Sequence, residues 1–132
     1  MERQKKVVDA SVIMKWFVDE DGSDKALDLR KMHLEKTCLI IVPDLLFIEV
    51  MNAFRYKTKD MENLKKVNDA LWKIQLKVEK TNQFILDAAA EEALIHDLSL
   101  YDAIYVTLSQ LYGCPLYTSD LKLKKCKNVV MV

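Results

Sequence analysis

Apolar residues occur along this chain in short continuous runs that are separated by longer segments with helical spacing. Residues 38–42 form an uninterrupted apolar run that ends at a proline, as expected of a strand buried on both faces. Residues 6–10 are a β-branched run, and residues 76–79 alternate between apolar and polar side chains, which is typical of a strand at a sheet edge. Residues 114–118 and 128–132 complete a set of five predicted strands.

The segments between these strands have the periodicity of amphipathic helices. The predicted helices cover residues 12–18, 23–35, 44–57, 60–74, 82–97 and 100–112, with a short helical turn at 121–124. Ser11, Ser23, Thr81 and Ser99 are the predicted start signals, and Gly113 is the predicted end of the last long helix. Five strands separated by helices predict an α/β fold with a parallel sheet.

Length and composition narrow the class of protein further. A chain of 132 residues fits one domain, so we expect a single domain over residues 1–132. With 51% apolar and 30% charged residues, intrinsic disorder is excluded, and two Gly and two Pro leave little turn chemistry for an all-β fold. No apolar stretch is long enough for a signal peptide or a membrane span, so we expect a cytoplasmic protein without a membrane partner.

Cysteine and histidine give no sign of a metal site. The three cysteines share no CxxC spacing and lie in or beside apolar strands, which predicts buried, reduced thiols. His33 and His96 each lack a second His or Cys at helical spacing, so we expect both at the surface or its boundary.

Four acidic residues occupy positions where an open parallel sheet binds ligands, beyond the carboxyl ends of its strands. Asp9 ends the first strand and Asp120 follows the fourth, and the two face each other if the fourth strand crosses back beside the first. Glu49 interrupts an apolar helix in which the nearby Arg55 points elsewhere. Asp102 stands in the first turn of another largely apolar helix.

Structural roles remain open for three of these acids. Asp102 could form a capping box with Ser99, Asp120 could cap the turn after it, and Asp9 could end its strand through a local hydrogen bond. Together the acids favour a binding site, because several carboxylates in one crevice repel each other and require cations. Ligation by oxygen alone selects Mg²⁺ or Mn²⁺ over zinc.

Four segments combine these acids with characteristic neighbours. They are Val7-Val8-Asp9-Ala10-Ser11-Val12 followed by Lys15-Trp16-Phe17, Val42-Pro43-Asp44-Leu45 with Glu49-x-x-Asn52-Ala53, Tyr101-Asp102-Ala103-x-Tyr105-Val106-x-Leu108, and Pro115-Leu116-x-Thr118-x-Asp120. In this order and spacing, the whole chain resembles a PIN domain, and most nearly a VapC-type toxin ribonuclease.

The resemblance implies a three-layer PIN-like fold, with a five-stranded parallel sheet in order 3-2-1-4-5 flanked by helices. It implies a Mg²⁺- or Mn²⁺-dependent endoribonuclease whose catalytic and metal-binding residues are Asp9, Glu49, Asp102 and Asp120. It also implies a homodimer, with tetramers left open, and a cognate antitoxin protein. Ser11, Asn52 and Thr118 match polar positions that surround the acids in the family, so we expect them to orient ligands and waters.

Charge identifies candidate contacts for RNA. The chain has 20 basic and 20 acidic residues, and setting the four site acids aside leaves 20 basic against 16 acidic. We predict Lys15 and Arg55 as substrate contacts, because both lie close in sequence to the acids. A nuclease acting on DNA and a catalytically silent module that binds RNA or protein are the alternatives.

Apolar residues on two predicted helices suggest a protein partner. We expect part of the first helix and of the fourth helix to be exposed in an isolated subunit, since large apolar patches mark interfaces. In particular, we expect the tail of the antitoxin to cover Trp16.

Overall fold

The computed structural model describes residues 2–132. Its strands are β1 (Gln4–Val8), β2 (Cys38–Pro43), β3 (Lys77–Glu79), β4 (Leu116–Thr118) and β5 (Val129–Met131). Its α-helices are α1 (Ala10–Ile13), α2 (Ser23–Leu34), α3 (Leu45–Lys57), α4 (Met61–Lys73), α5 (Gln83–His96) and α6 (Leu100–Tyr112). Short 3₁₀ helices cover Met14–Trp16 and Leu121–Leu123.

The five strands form one parallel sheet in the order β3-β2-β1-β4-β5. This confirms the predicted fold class and strand order. β1 lies at the centre, where Val7 pairs with Ile41 of β2 on one side and with Leu116 of β4 on the other. The carboxyl ends of β1 and β4 are therefore neighbours, which brings the residues after Val8 and Thr118 to the same point of the sheet edge.

Helices cover both faces of the sheet, so the fold has three layers. One core lies between the sheet and α1–α4 and includes Val8, Ile40 and Leu71. The other lies between the sheet and α5–α6 and includes Val7 and Ile41. Neighbouring strand residues face opposite cores, because side chains alternate along a strand. All three cysteines are buried, as predicted, and their thiols are free.

Three of the four predicted helix-start residues are not caps. α1 begins at Ala10 rather than near position 12, and Ser11 lies inside its first turn. Gly22, in a left-handed conformation, precedes α2, while the Ser23 hydroxyl contacts Val18 and Glu20 in the loop. Asn82, not Thr81, caps α5 by accepting a hydrogen bond from the Ile85 amide. Ser99 caps α6 and Gly113 ends it, as predicted.

His33 is buried, with 4% of its surface exposed, so its predicted place at the surface or boundary is wrong. Its Nδ1 accepts a hydrogen bond from the Ile40 amide at 3.1 Å, and its Nε2 lies 3.2 Å from the carbonyl oxygens of Ile74 and Gln75. The neutral ring can satisfy both contacts, and burial lowers its pKa. His33 therefore joins the end of α2 to β2 and to the residues after α4. His96 lies at the surface boundary, as predicted.

Trp16 also belongs to the interior. Only 7% of its surface is exposed, and its indole Nε1 donates a 2.7 Å hydrogen bond to the Ala26 carbonyl of α2. The prediction that a partner covers Trp16 is therefore wrong, because α2 already covers it. α4 does expose apolar side chains, since Met61 and Trp72 are both more than half exposed. No helix within residues 2–132 is long and apolar enough to cross a membrane.

Candidate metal and nuclease site

Asp9 follows β1 directly and is held by two neighbouring hydroxyl groups. It is 5% exposed, and its Oδ2 accepts hydrogen bonds from Ser11 Oγ at 2.9 Å and Thr118 Oγ1 at 2.7 Å. The Ser119 amide donates to Ser11 Oγ, and the Asp120 amide donates to Thr118 Oγ1, both at 3.0 Å. This network ties the loop after β4 to the loop after β1, and it fixes the orientation of the Asp9 carboxylate.

Glu49 lies on α3, the helix that follows β2. Its Oε1 accepts a 2.6 Å hydrogen bond from the Tyr105 hydroxyl of α6, and Tyr105 is fully buried. The pKa of Glu49 is raised to about 7: burial is the largest cause, the Tyr105 hydrogen bond opposes it, and the charges of Asp9 and Asp102 add to the increase. Glu49 can therefore exchange a proton near neutral pH.

Asp102 and Asp120 complete the cluster from α6 and from the loop after β4. Both residues take part in local helix-capping contacts. Ser99 Oγ accepts from the Asp102 amide at 3.1 Å, and Asp120 Oδ1 accepts from the Lys122 amide at 3.0 Å. Asp120 uses only one carboxylate oxygen as a helix cap, so its other oxygen remains available to a ligand.

Repulsion between the acids contributes to the pKa values of Asp9, Glu49 and Asp102. Burial raises the pKa of Asp9, and the charge of Asp102 raises it further. Burial also raises the pKa of Asp102, where repulsion from Asp120 exceeds the opposing effect of Lys122. None of the ion pairs within residues 2–132 includes one of these acids. The cluster is thus a region of uncompensated negative charge, which is the environment that attracts a cation.

The described residues contain no group of three or more His, Cys, Asp or Glu side chains arranged closely enough to hold a metal ion. The carboxylates interact electrostatically, but they are not arranged around a single point as the ligands of a bound ion would be. Their predicted separation of about 4 to 8 Å for one or two shared ions stays a prediction. The chemistry of the donor set fits Mg²⁺ or Mn²⁺, since every candidate ligand is a carboxylate oxygen.

The other predicted site residues divide between the cluster and its surroundings. Ser11 and Thr118 contact Asp9 directly. Asn52 and Arg55 are exposed and line a cleft of about 540 Å³ between α3 and α4. Lys15 does not extend into solvent: it is 8% exposed, and its ammonium group donates to Glu20 Oε1 at 3.2 Å and to the Asp21 carbonyl. Lys15 is therefore corrected to an internal contact of the loop after α1, because its charge is already compensated.

Sequence reasoning missed the partner of Glu49. It recognised that a carboxylate among apolar residues needs a partner, but it considered only basic residues on the same helix. The partner is a neutral phenol, Tyr105, from a helix 56 residues later. The available signal was the tyrosine itself, which stands among aliphatic residues one turn after Asp102.

Known proteins of the same fold are found among solved structures, whereas no curated protein matches the sequence. A crystal structure of PAE2754 from Pyrobaculum aerophilum is 24% identical, with a TM-score of 0.71 over 98% of this chain and 90% of that chain. A toxin–antitoxin complex from Klebsiella pneumoniae is 17% identical, with a TM-score of 0.73 over 95% of each chain. Mycobacterium tuberculosis VapC20, described as a toxin that cleaves the sarcin–ricin loop, is 15% identical, with a TM-score of 0.74 over 94% and 96%.

At these identities the solved structures support the fold, and membership of a family rests on the sequence profile. The profile of the PIN domain matches residues 6–128, which include all four acids, the last three residues of β1 and the whole of β2, β3 and β4. The chain therefore belongs to the PIN domain family.

Proposed function

We propose that this protein is a metal-dependent endoribonuclease and the toxin of a toxin–antitoxin pair. The observation that carries the proposal is the cluster of Asp9, Glu49, Asp102 and Asp120, in which burial and mutual repulsion raise the pKa of three members. Such a cluster costs stability and forms no ion pair within residues 2–132, which favours a bound cation as its partner.

Asp9, Glu49, Asp102 and Asp120 are the residues proposed to hold one or two Mg²⁺ or Mn²⁺ ions. A bound ion of this kind lowers the pKa of water and neutralises charge on a phosphodiester. The protein contributes fixed carboxylates: Ser11 and Thr118 hold Asp9, and Asp120 is held by the amide of Lys122.

The proposed reaction is hydrolysis by in-line attack of water on phosphorus. A new bond forms between the water oxygen and phosphorus while the bond to the 3′ oxygen breaks, which leaves a 5′-phosphate and a 3′-hydroxyl. Glu49 is proposed to hold an ion or to orient the attacking water, and the proton that the water loses is balanced by protonation of the departing 3′ oxygen. The proposed phosphate contacts are Arg55, which is exposed on α3, and Lys122, whose charge acts on Asp102.

The proposal is tested by RNA cleavage with purified protein in Mg²⁺ or Mn²⁺. We expect cleavage to stop with chelator and to fall by at least about two orders of magnitude in Asp9→Asn, with the fold retained by circular dichroism. The matched control is Asp28→Asn, an exposed aspartate of α2, which should cleave as the unsubstituted protein does. Cleavage that persists with chelator contradicts the metal-dependent mechanism.

The alternatives are separated by substrate. Paired ribose and deoxyribose oligonucleotides of one sequence decide between an RNA and a DNA nuclease. Binding of RNA with no cleavage at any tested metal concentration identifies the chain as a silent binding module instead.

A toxin of this kind requires an antitoxin, and toxin–antitoxin complexes among the structural neighbours support such a partner. We propose that an apolar antitoxin segment occupies the cleft between α3 and α4, where Ile48, Met51, Leu64 and Trp72 line the walls. A small upstream reading frame that encodes a DNA-binding N-terminus would identify the antitoxin. Trp72→Ala should weaken its binding, whereas Leu34→Ala, at the exposed end of α2, should not.

Self-association belongs to the same proposal. We propose a homodimer, because α5 and the start of α6 expose Leu94, Ile95, Leu100 and Tyr101 to solvent. Light scattering should give twice the mass of one chain, and a monomer at high concentration contradicts the dimer.

A further inference from the structure

Tyr105 is a buried residue of α6 whose hydroxyl contacts a side chain on another helix. Residues 103–109 are all buried, and the Tyr105 side chain is fully removed from solvent. Its hydroxyl donates a 2.6 Å hydrogen bond to Glu49 Oε1, which lies on a different helix, α3. A hydroxyl buried so deeply needs a partner, and here the partner is one of the four acids.

The two carboxylate oxygens of Glu49 have different environments. Oε1 accepts from Tyr105, whereas Oε2 has no hydrogen-bond partner within residues 2–132. The same division occurs at Asp120, where Oδ1 accepts from the Lys122 amide, and at Asp9, where Oδ2 accepts from Ser11 and Thr118. At Glu49 and Asp120 a single protein donor holds one oxygen and leaves the other for a ligand.

We propose that Tyr105 is a positioning residue that holds Glu49 Oε1 and leaves Oε2 as the single oxygen offered to an ion or a water. This rests on the proposed metal-dependent function and adds a residue to it. A carboxylate with one oxygen occupied binds an ion through the other, which suits small ions with strict octahedral geometry such as Mg²⁺ and Mn²⁺. A carboxylate free to use both oxygens suits the larger and more flexible Ca²⁺.

Loss of the hydroxyl should therefore change affinity and selectivity together. In Tyr105→Phe, we expect Mn²⁺ affinity to fall by about 10- to 100-fold, the usual effect of removing a group that orients a metal ligand. Ca²⁺ affinity should not fall in parallel, so the ratio of the two affinities changes. A merely structural role for Tyr105 would weaken both ions alike.

The chain contains a matched control on the same helix. Tyr112 also donates its hydroxyl to a glutamate, Glu79, outside the acid cluster. Tyr112→Phe removes the same kind of hydrogen bond, and it should leave both affinities unchanged within about twofold.

The experiment measures Mn²⁺ binding by electron paramagnetic resonance and Ca²⁺ by competition, in the unsubstituted protein, Tyr105→Phe, Tyr112→Phe and Glu49→Gln. If Tyr105 acts through Glu49, adding Tyr105→Phe to Glu49→Gln should cause little further loss. Equal Mn²⁺ affinity in Tyr105→Phe and the unsubstituted protein overturns the role of Tyr105 while metal binding stands. Absence of Mn²⁺ binding by the unsubstituted protein overturns the proposed function itself.

A measurement on the unsubstituted protein covers the case in which Tyr105→Phe does not fold. The hydroxyl proton of Tyr105 is shielded from solvent by burial, so its NMR resonance should be observable. It should shift when diamagnetic Mg²⁺ is added, and it should not shift in Asp9→Asn. An unchanged resonance in a protein that binds Mg²⁺ contradicts the proposal.

Discussion

Folding makes ionisation of individual residues in the acid cluster less favourable, and Glu49 is the clearest case. Its pKa rises from 4.5 to about 7 on folding, so the folded protein binds this proton more tightly than the unfolded chain does. The sign follows: ionised Glu49 destabilises the fold above pH 7, and the penalty disappears as the pH falls towards 4.5.

Glu49→Gln should therefore stabilise the protein at high pH. We expect the free energy of unfolding to rise by about 1–3 kcal/mol at about pH 8 and to match the unsubstituted protein at about pH 4.5. Denaturant unfolding at both pH values measures this difference. Glu91→Gln, at an exposed position of α5, is the control, and equal stability of Glu49→Gln and the unsubstituted protein at the higher pH contradicts the account.

For single residues, the sequence predicts the acids of the cluster more successfully than it predicts their hydrogen-bond partners. The positions of Asp9 and Asp120 follow from strand ends alone. Ser11 is predicted to be a helix cap, but it lies inside α1, where its hydroxyl donates to the Asp9 carboxylate and accepts from the Ser119 amide. Tyr105 could not be paired with Glu49 from sequence, since no local spacing relates two helices.

Among the elements, the two tryptophans have opposite environments. Trp16, after α1, is buried and hydrogen-bonded to Ala26, whereas Trp72, at the end of α4, is 55% exposed and stacks on Phe47 with ring centroids 3.9 Å apart. The sequence pattern could not distinguish them, because α1 is one turn long and its orientation depends on how α2 packs over it.

Substitution by alanine should separate the two positions. Trp16→Ala should lower the free energy of unfolding by about 3–5 kcal/mol, as expected for a large buried side chain. Trp72→Ala should lower it by about 1–2 kcal/mol, since it loses one aromatic stack and partial burial. Thermal or denaturant unfolding of both variants measures the contrast, and similar losses at the two sites would show that the assigned environments are wrong.

The order of elements is the part of the fold that sequence predicts most reliably. β2 and β3 are recognisable because a doubly buried strand and an edge strand have different patterns, and both occupy the expected places in the sheet. Strand ends shift by about two residues, as for β1, because exposed residues such as Gln4 and Lys5 pair with β2 without an apolar signal.

Across the whole molecule, the acid cluster couples stability to cations. An ion that binds the folded protein but not the unfolded chain raises stability by mass action, by about 2.7 kcal/mol at one hundred times its dissociation constant. We expect Mg²⁺ to raise the melting temperature of the unsubstituted protein and to have little effect on Asp9→Asn. Potassium chloride at matched ionic strength is the control, and an equal rise in both proteins would indicate a general salt effect.

The central position of β1 also has a consequence for synthesis of the protein on the ribosome. Asp9 receives its hydrogen bond from Thr118, a residue 109 positions later, and Asp120 follows two residues after that. While the chain is growing, β1 can pair with β2 but has nothing on its other side. The acid cluster therefore cannot assemble until Thr118 and Asp120 have been made, so a nascent chain that ends before them has no site with which to act.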